Sequence, residues 1–335
     1  MRVGLAYDLK EAVTLDRAAP DDALEEYDSP ATIGYIQRAL EGAGHSVVKL
    51  GGGIEFLQHI LREKVDFVFN ISEGRGNYRS REAQVPSILE MLDIPYTGSD
   101  PECLATCLDK PLTKKLVALN GVRTPDWLVV KAEEELGETS WADISYPAIV
   151  KPSWEGSSKG VHAKSLVDGP EQARDVVSEM LHVYRQPVML EQFIDGDEVT
   201  VGIVGNPPHR NIVGLMRILP RKQKERFVYS VEVKRDWRNL VDYEAPANLR
   251  EETQEEIVGA SFKTFETLGC RDFGRIDFRV SKDGKPYMLE INPLPGLGDY
   301  SDLVIMALKL GWTHEGLIAA VFNTALGRYP LWVHG

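Results

Sequence analysis

The stretch GRIDFRVSKDGKPYMLEIN, residues 274–292, decides how this chain is read. Two alternating segments flank Asp283-Gly284, a dipeptide favoured in two-residue hairpin turns. With those two residues as the turn, counting outward sets Asp277 opposite Glu290 and Arg275 opposite Asn292. Period-two alternation puts all four side chains on one face of the ribbon. The other face carries Ile276 against Ile291 and Phe278 against Leu289, an apolar surface for a core. Opposed carboxylates destabilise a hairpin unless something neutralises them. Two carboxylates and a carboxamide are hard oxygen ligands, which suit Mg²⁺ held jointly with substrate phosphates. A solvated polar face with Arg275 as counter-ion is the competing reading. The loop that follows, NPLPGLGDYS at residues 292–301, brings backbone N–H groups toward any anion bound there.

Upstream, VKPSWEGSSKGV (residues 150–161) reads as a strand running into a glycine/serine loop and out into another strand. Small residues let backbone N–H groups approach a phosphate closely, and Lys151 supplies a point charge from the strand. It is not a Walker loop, because neither GxxxxGKS nor GxxxxGKT is present. MLEQFIDGDEVTV (residues 189–201) sets Glu191 and Glu198 beside the apolar Phe193 and Ile194. Such a set offers an acceptor for a purine amine, acids for a ribose and apolar neighbours for a base. Two short strands around an Asp195-Gly196 turn are the plainer reading.

Residues 2–7, 45–50 and 65–71 read as strands alternating with helices at 31–42, 54–63 and 82–92, the pattern of a parallel, doubly wound sheet. A helical region runs from Pro101 to about Gly121, and residues 127–130 open a second lobe as a strand. From residue 146 the texture turns to short strands with glycine turns: PAIVKP, KGVHAKS, PVMLEQFI and EVTVGIVGN. Helical patterns resume at 251–268 and 302–325. Residues 221–244 are polar, rich in both charge signs and poorly periodic, and read as a long loop of the kind that covers a site.

A chain of 335 residues can hold two or three lobes, and its net charge of −13 disfavours nucleic acid and anionic membranes as partners. No apolar run approaches the roughly 20 residues of a membrane span, and MRVGLAYDL is too soon interrupted by charge for a signal peptide. Cys103, Cys107 and Cys270 form neither a disulfide framework nor a CxxC pair. Cys103 and Cys107, at i,i+4 spacing, read as small buried residues on a helix, and a reducing cytosol is the natural compartment.

In this order and at these separations, the three elements resemble the ATP-grasp superfamily, and within it the D-alanine–D-alanine ligase branch. DIPYTGSDPECLATCLDKPLTKKL, residues 93–116, resembles that branch's turn into its central domain. The resemblance implies an α/β fold of three domains. A parallel-sheet domain would cover residues 1–105, a central subdomain 106–190 and a C-terminal subdomain 191–335, with ATP between the antiparallel sheets of the last two. It implies that Lys110 and Lys151 hold the α- and β-phosphates, that a loop at 155–160 containing Gly156, Ser157 and Ser158 closes over them, and that Lys234 reaches the γ-phosphate. Glu191 would accept from the adenine amine, with Phe193 and Ile194 at the base and Glu198 at the ribose. Asp277, Glu290 and Asn292 would bind two Mg²⁺ ions, or Mn²⁺ in their place. Arg275 and the Gly296 N–H match the branch's oxyanion donors, and Ser301 matches its contact to the second substrate's carboxylate. The implied activity is carboxylate–amine ligation through an acyl-phosphate, with small amino-acid-like substrates, in a cytoplasmic homodimer.

Three segments depart from the branch. AYDLKEAVTLDRAAPDDALEEYDSP (residues 6–30) lacks the glycines and the glutamate that receives the first substrate's ammonium; Glu11, Asp16, Glu25 and Glu26 are stand-ins. SEGRGNYRSRE (residues 72–82) places Glu73 where the branch has a histidine and adds Arg75, Arg79 and Arg81, which would suit an extra substrate carboxylate if they converge on the pocket. Arg235 follows Lys234 where the branch usually has a tyrosine. All three touch the substrate side, so the expectation is ligase chemistry on a pair other than two D-alanines. Retention of Lys151, Arg275, Asp277, Glu290 and Asn292 counts against a catalytically silent nucleotide-binding module.

Overall fold

The structure, a computed structural model, describes residues 1–15, 19–222 and 225–329. It opens with β1 (Arg2–Ala6), α1 (Pro30–Gly42), β2 (Ser46–Gly51), α2 (Gly53–Ile60), β3 (Phe67–Asn70) and α3 (Gln84–Met91). The three strands form a parallel sheet in the order β2-β1-β3, as their apolar runs and intervening helices require. Helix α1 shows how locally this is encoded. Ser29 accepts from the Thr32 N–H as N-cap, Pro30 occupies the first turn, and Ile33, Ile36 and Leu40 form the buried stripe.

The helical region after Pro101 is two helices, α4 (Pro101–Leu108) and α5 (Lys110–Leu119), rather than one. Asp109 ends the first and caps the second through the Leu112 N–H, and Pro111 sits in the first turn, where its missing N–H costs nothing. The break sets Lys110 at the start of α5. Cys103 and Cys107 are buried on α4 as expected, and Cys270 joins them, with Cys103 Sγ 3.5 Å from Cys270 Sγ.

A four-stranded antiparallel sheet follows, built from β4 (Trp127–Val130), β5 (Ala148–Pro152), β6 (Leu166–Val167) and β7 (Val188–Gln192) in the order β4-β7-β5-β6. Its core is closed by α6 (Pro170–Tyr184), a helix the sequence reading passed over. KGVHAKS is not a strand. It forms a turn and a short 3₁₀ segment before the two-residue β6.

The third sheet, β10-β9-β8-β11-β12, uses β8 (Gly196–Val204), β9 (Asn211–Pro220), β10 (Val241–Glu244), β11 (Phe273–Ser281) and β12 (Pro286–Asn292). Two short helices, α7 (Val231–Arg235) and α8 (Trp237–Leu240), order much of the segment that reads as loop between β9 and β10. Helix α9 (Glu251–Thr267) packs beneath β11 and β12. The last helical region is again split, into α10 (Asp302–Lys309) and α11 (His314–Leu326), by Gly311 at φ +87°. Among the described residues no single helix is long and apolar enough to cross a membrane; α10 and α11 together pass that test but meet at 112°. Phe322 of α11 packs edge-on to Phe67 of β3, which returns the chain's end to its first sheet.

The expected boundaries at 105 and 190 fall inside α4 and β7. The central and third sheets flank a cleft, and the carboxyl ends of β1 and β3 approach its far end.

Candidate active site

Two cavities meet at Tyr229 and Lys234. The first, enclosing about 760 Å³ including its mouth, is lined by Lys110, Lys151, Ser158, Glu191, Phe193, Ile194, Glu198, Asp277 and Glu290. The second, about 1220 Å³, is lined by Ser157, Arg275, Asn292, Gly296 and Ser301. Every site residue expected from sequence therefore borders one cavity or both, except Gly156. Its neighbour there is Glu26, whose carboxylate would lie 4.0 Å from an added Cβ.

The metal-ligand face forms as counted: Asp277 opposes Glu290, Arg275 opposes Asn292 and Ile276 opposes Ile291. Nearer the turn the count fails. Ser281 N–H bonds Lys285 O, so the loop holds three residues, with Gly284 left-handed at φ +87°. A bulge between Asp277 and Phe278 absorbs the extra residue, so Phe278 opposes Met288 instead of Leu289. Two one-residue deviations cancel, and the carboxylates meet. The bulge sends Met288 into the core and turns Leu289 toward the first cavity.

Arg275 grips Asp277 with two bonds, Nε to Oδ1 at 3.1 Å and Nη2 to Oδ2 at 2.9 Å, while Thr200 donates to the same carboxylate at 2.6 Å. Burial raises the Asp277 pKa; Arg275 opposes that shift and Glu290 adds to it. At Glu290 burial is outweighed by Lys110, Lys151, Lys234 and Arg275, which hold the carboxyl at about 2. Glu290 is thus an anion among cations, with Lys110 Nζ 3.4 Å away. Two carboxylates and the Asn292 carboxamide on one cavity-facing strand pair fit a hard divalent cation.

Deeper in the first cavity, Lys151 Nζ lies 2.9 Å from Glu191 Oε1, and Lys114 pairs with the other oxygen. Glu191 is therefore a buried, twice-neutralised carboxylate, its pKa lowered by the lysines against the opposing effect of burial. Arg279 braces the opposite wall. It donates to the carbonyls of Ile194, Gly196 and Phe227, meets Glu198 at 3.2 Å, and stacks 4.5 Å from the Phe193 ring. In the glycine/serine loop, Ser157 and Ser158 are both left-handed, at φ 52° and 61°. Two consecutive non-glycine residues in that region store strain of a kind concentrated at ligand-binding loops. Gly160 follows at φ +76°, where a Cβ would lie 2.3 Å from Pro152.

The segment between β9 and β10 lies over both cavities. Ser158 Oγ donates to Tyr229 O at 3.0 Å, Val231 N–H to Val161 O at 3.0 Å, and Arg235 binds Glu25 at 2.9 Å and Asp21 at 3.1 Å. Arg235, which departs from the branch, is thus a clasp between the cover and the N-terminal segment. The three arginines of residues 72–82 do not converge on the second cavity. Arg81 is buried against Glu26, Glu155 and Trp154 O, Arg75 pairs with Asp8, and Arg79 is exposed. These three arginines therefore offer no seat to an extra substrate carboxylate. Of the ammonium stand-ins, Glu11 is exposed and Asp16 lies outside the described residues. Glu26 is engaged by Arg81 and Lys159, and Glu25 by Arg235.

Lys114, Lys159, Arg279, Tyr229 and Asp302 complete the site and escaped the sequence reading. Arg279 carried a usable signal, since the alternation that pairs Arg275 with Asp277 on one face extends to it. Lys114 carried none, because its partner Glu191 lies far along the chain, and Lys159 carried little, since beside Glu155 four residues away it meets the distant Glu26.

Residues 116–323 match the family model for the D-ala D-ala ligase C-terminus. A D-alanine–D-alanine ligase of Aquifex aeolicus is 34% identical over 293 residues, covering 86% of this chain and 92% of the relative. The ATP-complexed crystal structure of a D-alanine–D-alanine ligase from Bacillus anthracis superposes with a TM-score of 0.74 at 24% identity, covering 98% of each chain. The VanG D-Ala:D-Ser ligase of Enterococcus faecalis does so with a TM-score of 0.73 at 19% identity over 97% of this chain and 99% of that one. The chain belongs to the D-alanine–D-alanine ligase family, ATP-dependent enzymes of the ATP-grasp fold that form a C–N bond.

Proposed function

We propose that the first cavity binds ATP and that the second holds a carboxylate substrate and an amine substrate, both small amino acids or close relatives. The observation that carries this reading is the position of Lys234, which borders both cavities beside the hairpin face of Arg275, Asp277, Glu290 and Asn292. Phosphate-binding and substrate-binding groups thus converge on one strand pair.

In this reading the donor carboxylate attacks the γ-phosphorus, the bond to the ADP oxygen breaks, and an acyl-phosphate forms. The acceptor nitrogen then attacks the carbonyl carbon, loses a proton and expels inorganic phosphate. Lys110, Lys151 and Lys234 neutralise the phosphates, and the left-handed serines turn loop N–H groups toward them. Leu289, Phe193 and Ile194 provide the apolar wall for the base, with Glu191 at its amine and Glu198 at the ribose. Arg275 and the Gly296 N–H stabilise the oxyanion. Ser301 Oγ, buried and without a hydrogen-bond partner among the described residues, donates to the acceptor's carboxylate. Asp277, Glu290 and Asn292 would hold Mg²⁺, two ions in this reading, which supply charge neutralisation at the transferring phosphoryl group. The cover from β9 to β10 excludes water that would hydrolyse the acyl-phosphate. Three buried free cysteines suit a reducing, cytoplasmic setting, and a homodimer is the proposed assembly.

The test is a panel of amino acids offered singly and in pairs with ATP and Mg²⁺, assayed for ADP and for product mass. The expected result is ADP release tied to a product one water lighter than its two parts. Condensed product from no pair would overturn the reading.

A further inference from the structure

Tyr229, buried where the two cavities meet, reaches three parts of the site at once. Its carbonyl accepts from Ser158 Oγ of the glycine/serine loop at 3.0 Å. Its ring carries Lys234 Nζ, 5.1 Å from the centroid. Its hydroxyl donates to Asp302 Oδ1 at 3.0 Å, and Asp302 Oδ2 lies 3.5 Å from Arg275 Nη1. Counting protons fixes the direction of this chain. Asp302, ion-paired with Arg275, only accepts, and a phenol has one proton to give. The 2.6 Å bond between the two tyrosine hydroxyls therefore runs from Tyr243 to the Tyr229 oxygen. Burial and the neighbouring Asp302 push the Tyr229 phenol up, so it keeps the proton that it gives to Asp302.

Arg275, the oxyanion donor of the ligase reading, is held from two sides, by two bonds to Asp277 and by Asp302. Asp277 is also a metal ligand in that reading, which leaves Asp302 as the partner that no other role claims. Tyr229 belongs to the segment that covers both cavities, whereas Asp302 opens α10, which packs on β8 and β9. The bond between them is thus where the cover meets the anchor of the oxyanion donor. We propose that Tyr229 is a positioning residue with two arms. Its hydroxyl, acting through Asp302, fixes the Arg275 guanidinium for the oxyanion, and its ring separately holds Lys234 for the nucleotide. This rests on the ligase reading above and assigns part of its rate to a hydroxyl committed to Asp302 rather than to substrate.

The test separates the two arms on the full chain. Turnover is measured with the amino-acid pair that gives most product, and nucleotide affinity by calorimetry with a non-hydrolysable ATP analogue and Mg²⁺. Thermal melting checks that each variant is folded. Tyr229→Phe keeps the ring and the backbone bond to Ser158 and removes only the hydroxyl. It is expected to lower kcat at least about tenfold and to leave the Kd of the analogue within about twofold. Tyr229→Leu removes the ring as well and should raise that Kd about two- to fivefold. Action through Asp302 further requires non-additivity: in an Asp302→Ala background, Tyr229→Phe should lower kcat by less than about twofold. Wild-type kcat in Tyr229→Phe overturns the inference without recourse to the other variants. So does the same fall in kcat with and without Asp302, or the same analogue Kd in Tyr229→Phe and Tyr229→Leu. Each of those results, obtained beside a wild type that makes product, leaves the ligase reading standing. A wild type that makes product from no pair overturns the ligase reading, and this inference falls with it.

Discussion

Lys151 Nζ lies 2.9 Å from Glu191 Oε1 while Lys114 holds the other oxygen of the same carboxylate. A residue expected at the phosphates and one expected at the base are thus coupled through a buried charge, and the second lysine decides what a substitution does. Lys151→Ala should raise the Kd for ATP by roughly 10- to 150-fold, the equivalent of a charge-assisted contact of about 1.5–3 kcal/mol. Glu191 keeps Lys114, so the melting temperature should change little. Calorimetry showing unchanged ATP affinity would remove Lys151 from the site.

Glu290→Gln and Asp277→Ala should both abolish most turnover, but their stabilities should diverge. The hairpin alone suggests that either change relieves repulsion. Arg275 reverses that for Asp277, because it would lose its two-bond partner and retain only Asp302 at 3.5 Å. Breaking a buried pair this way costs about 3 kcal/mol or more. Glu290 has one ion pair among the described residues, to Lys110 at 3.4 Å, and shares its charge more loosely with Lys151, Lys234 and Arg275, so its amide should fold and lose less stability than Asp277→Ala. Denaturant titration of the two variants gives the comparison, and equal loss in both would contradict this account of Arg275.

Adjacent residues 288 and 289 should fail in different ways. Met288→Ala opens a hole beneath the third sheet and should cost about 2–5 kcal/mol of stability with ATP affinity nearly intact. Leu289→Ala removes a wall of the first cavity and should raise the ATP Kd several-fold with little loss of stability. If Leu289→Ala destabilises as strongly as Met288→Ala, the bulge is misassigned.

Asp28 should leave a pH signature on stability. Burial, reinforced by Asp8, pushes its carboxyl up to about 8 from the usual 3.8. Between those values the folded chain holds a proton that the unfolded chain has released. The contribution is therefore fully present below the unfolded pKa and is lost as pH rises through about 8. Asp28→Asn removes this dependence, so the melting temperature of the variant minus that of the wild type should grow from about pH 5 to about pH 8.5. A difference that stays flat across that range would show that Asp28 ionises normally.

Much of this site was legible because its residues are set by local rules. Alternation placed Arg275 and Asp277 on one face, and the same rule reaches Arg279. The facing of Asp277 and Glu290 was read correctly although the turn was not, since a three-residue loop and a bulge shift the register by one each in opposite senses. A bulge answers to packing from both sides of a sheet, which a single strand's pattern does not encode. The two broken helical regions were legible in principle, through Asp109 with Pro111 and through Gly311, but unbroken apolar periodicity masked them.

By itself the sequence determined the family, the three-sheet architecture and many of the residues that border the two cavities, because strand alternation, turn chemistry and motif spacing are short-range properties. Only the tertiary structure decided how the charges are partnered. It took Arg75, Arg79 and Arg81 away from the substrate cavity, spent Glu25 and Glu26 on Arg235, Arg81 and Lys159, and left Asp28 and Glu73 facing the cavity. Those pairs join residues as much as 210 positions apart. A buried charge is stabilised by whatever cation the fold brings within a few ångströms, and sequence neighbours do not specify which one that is.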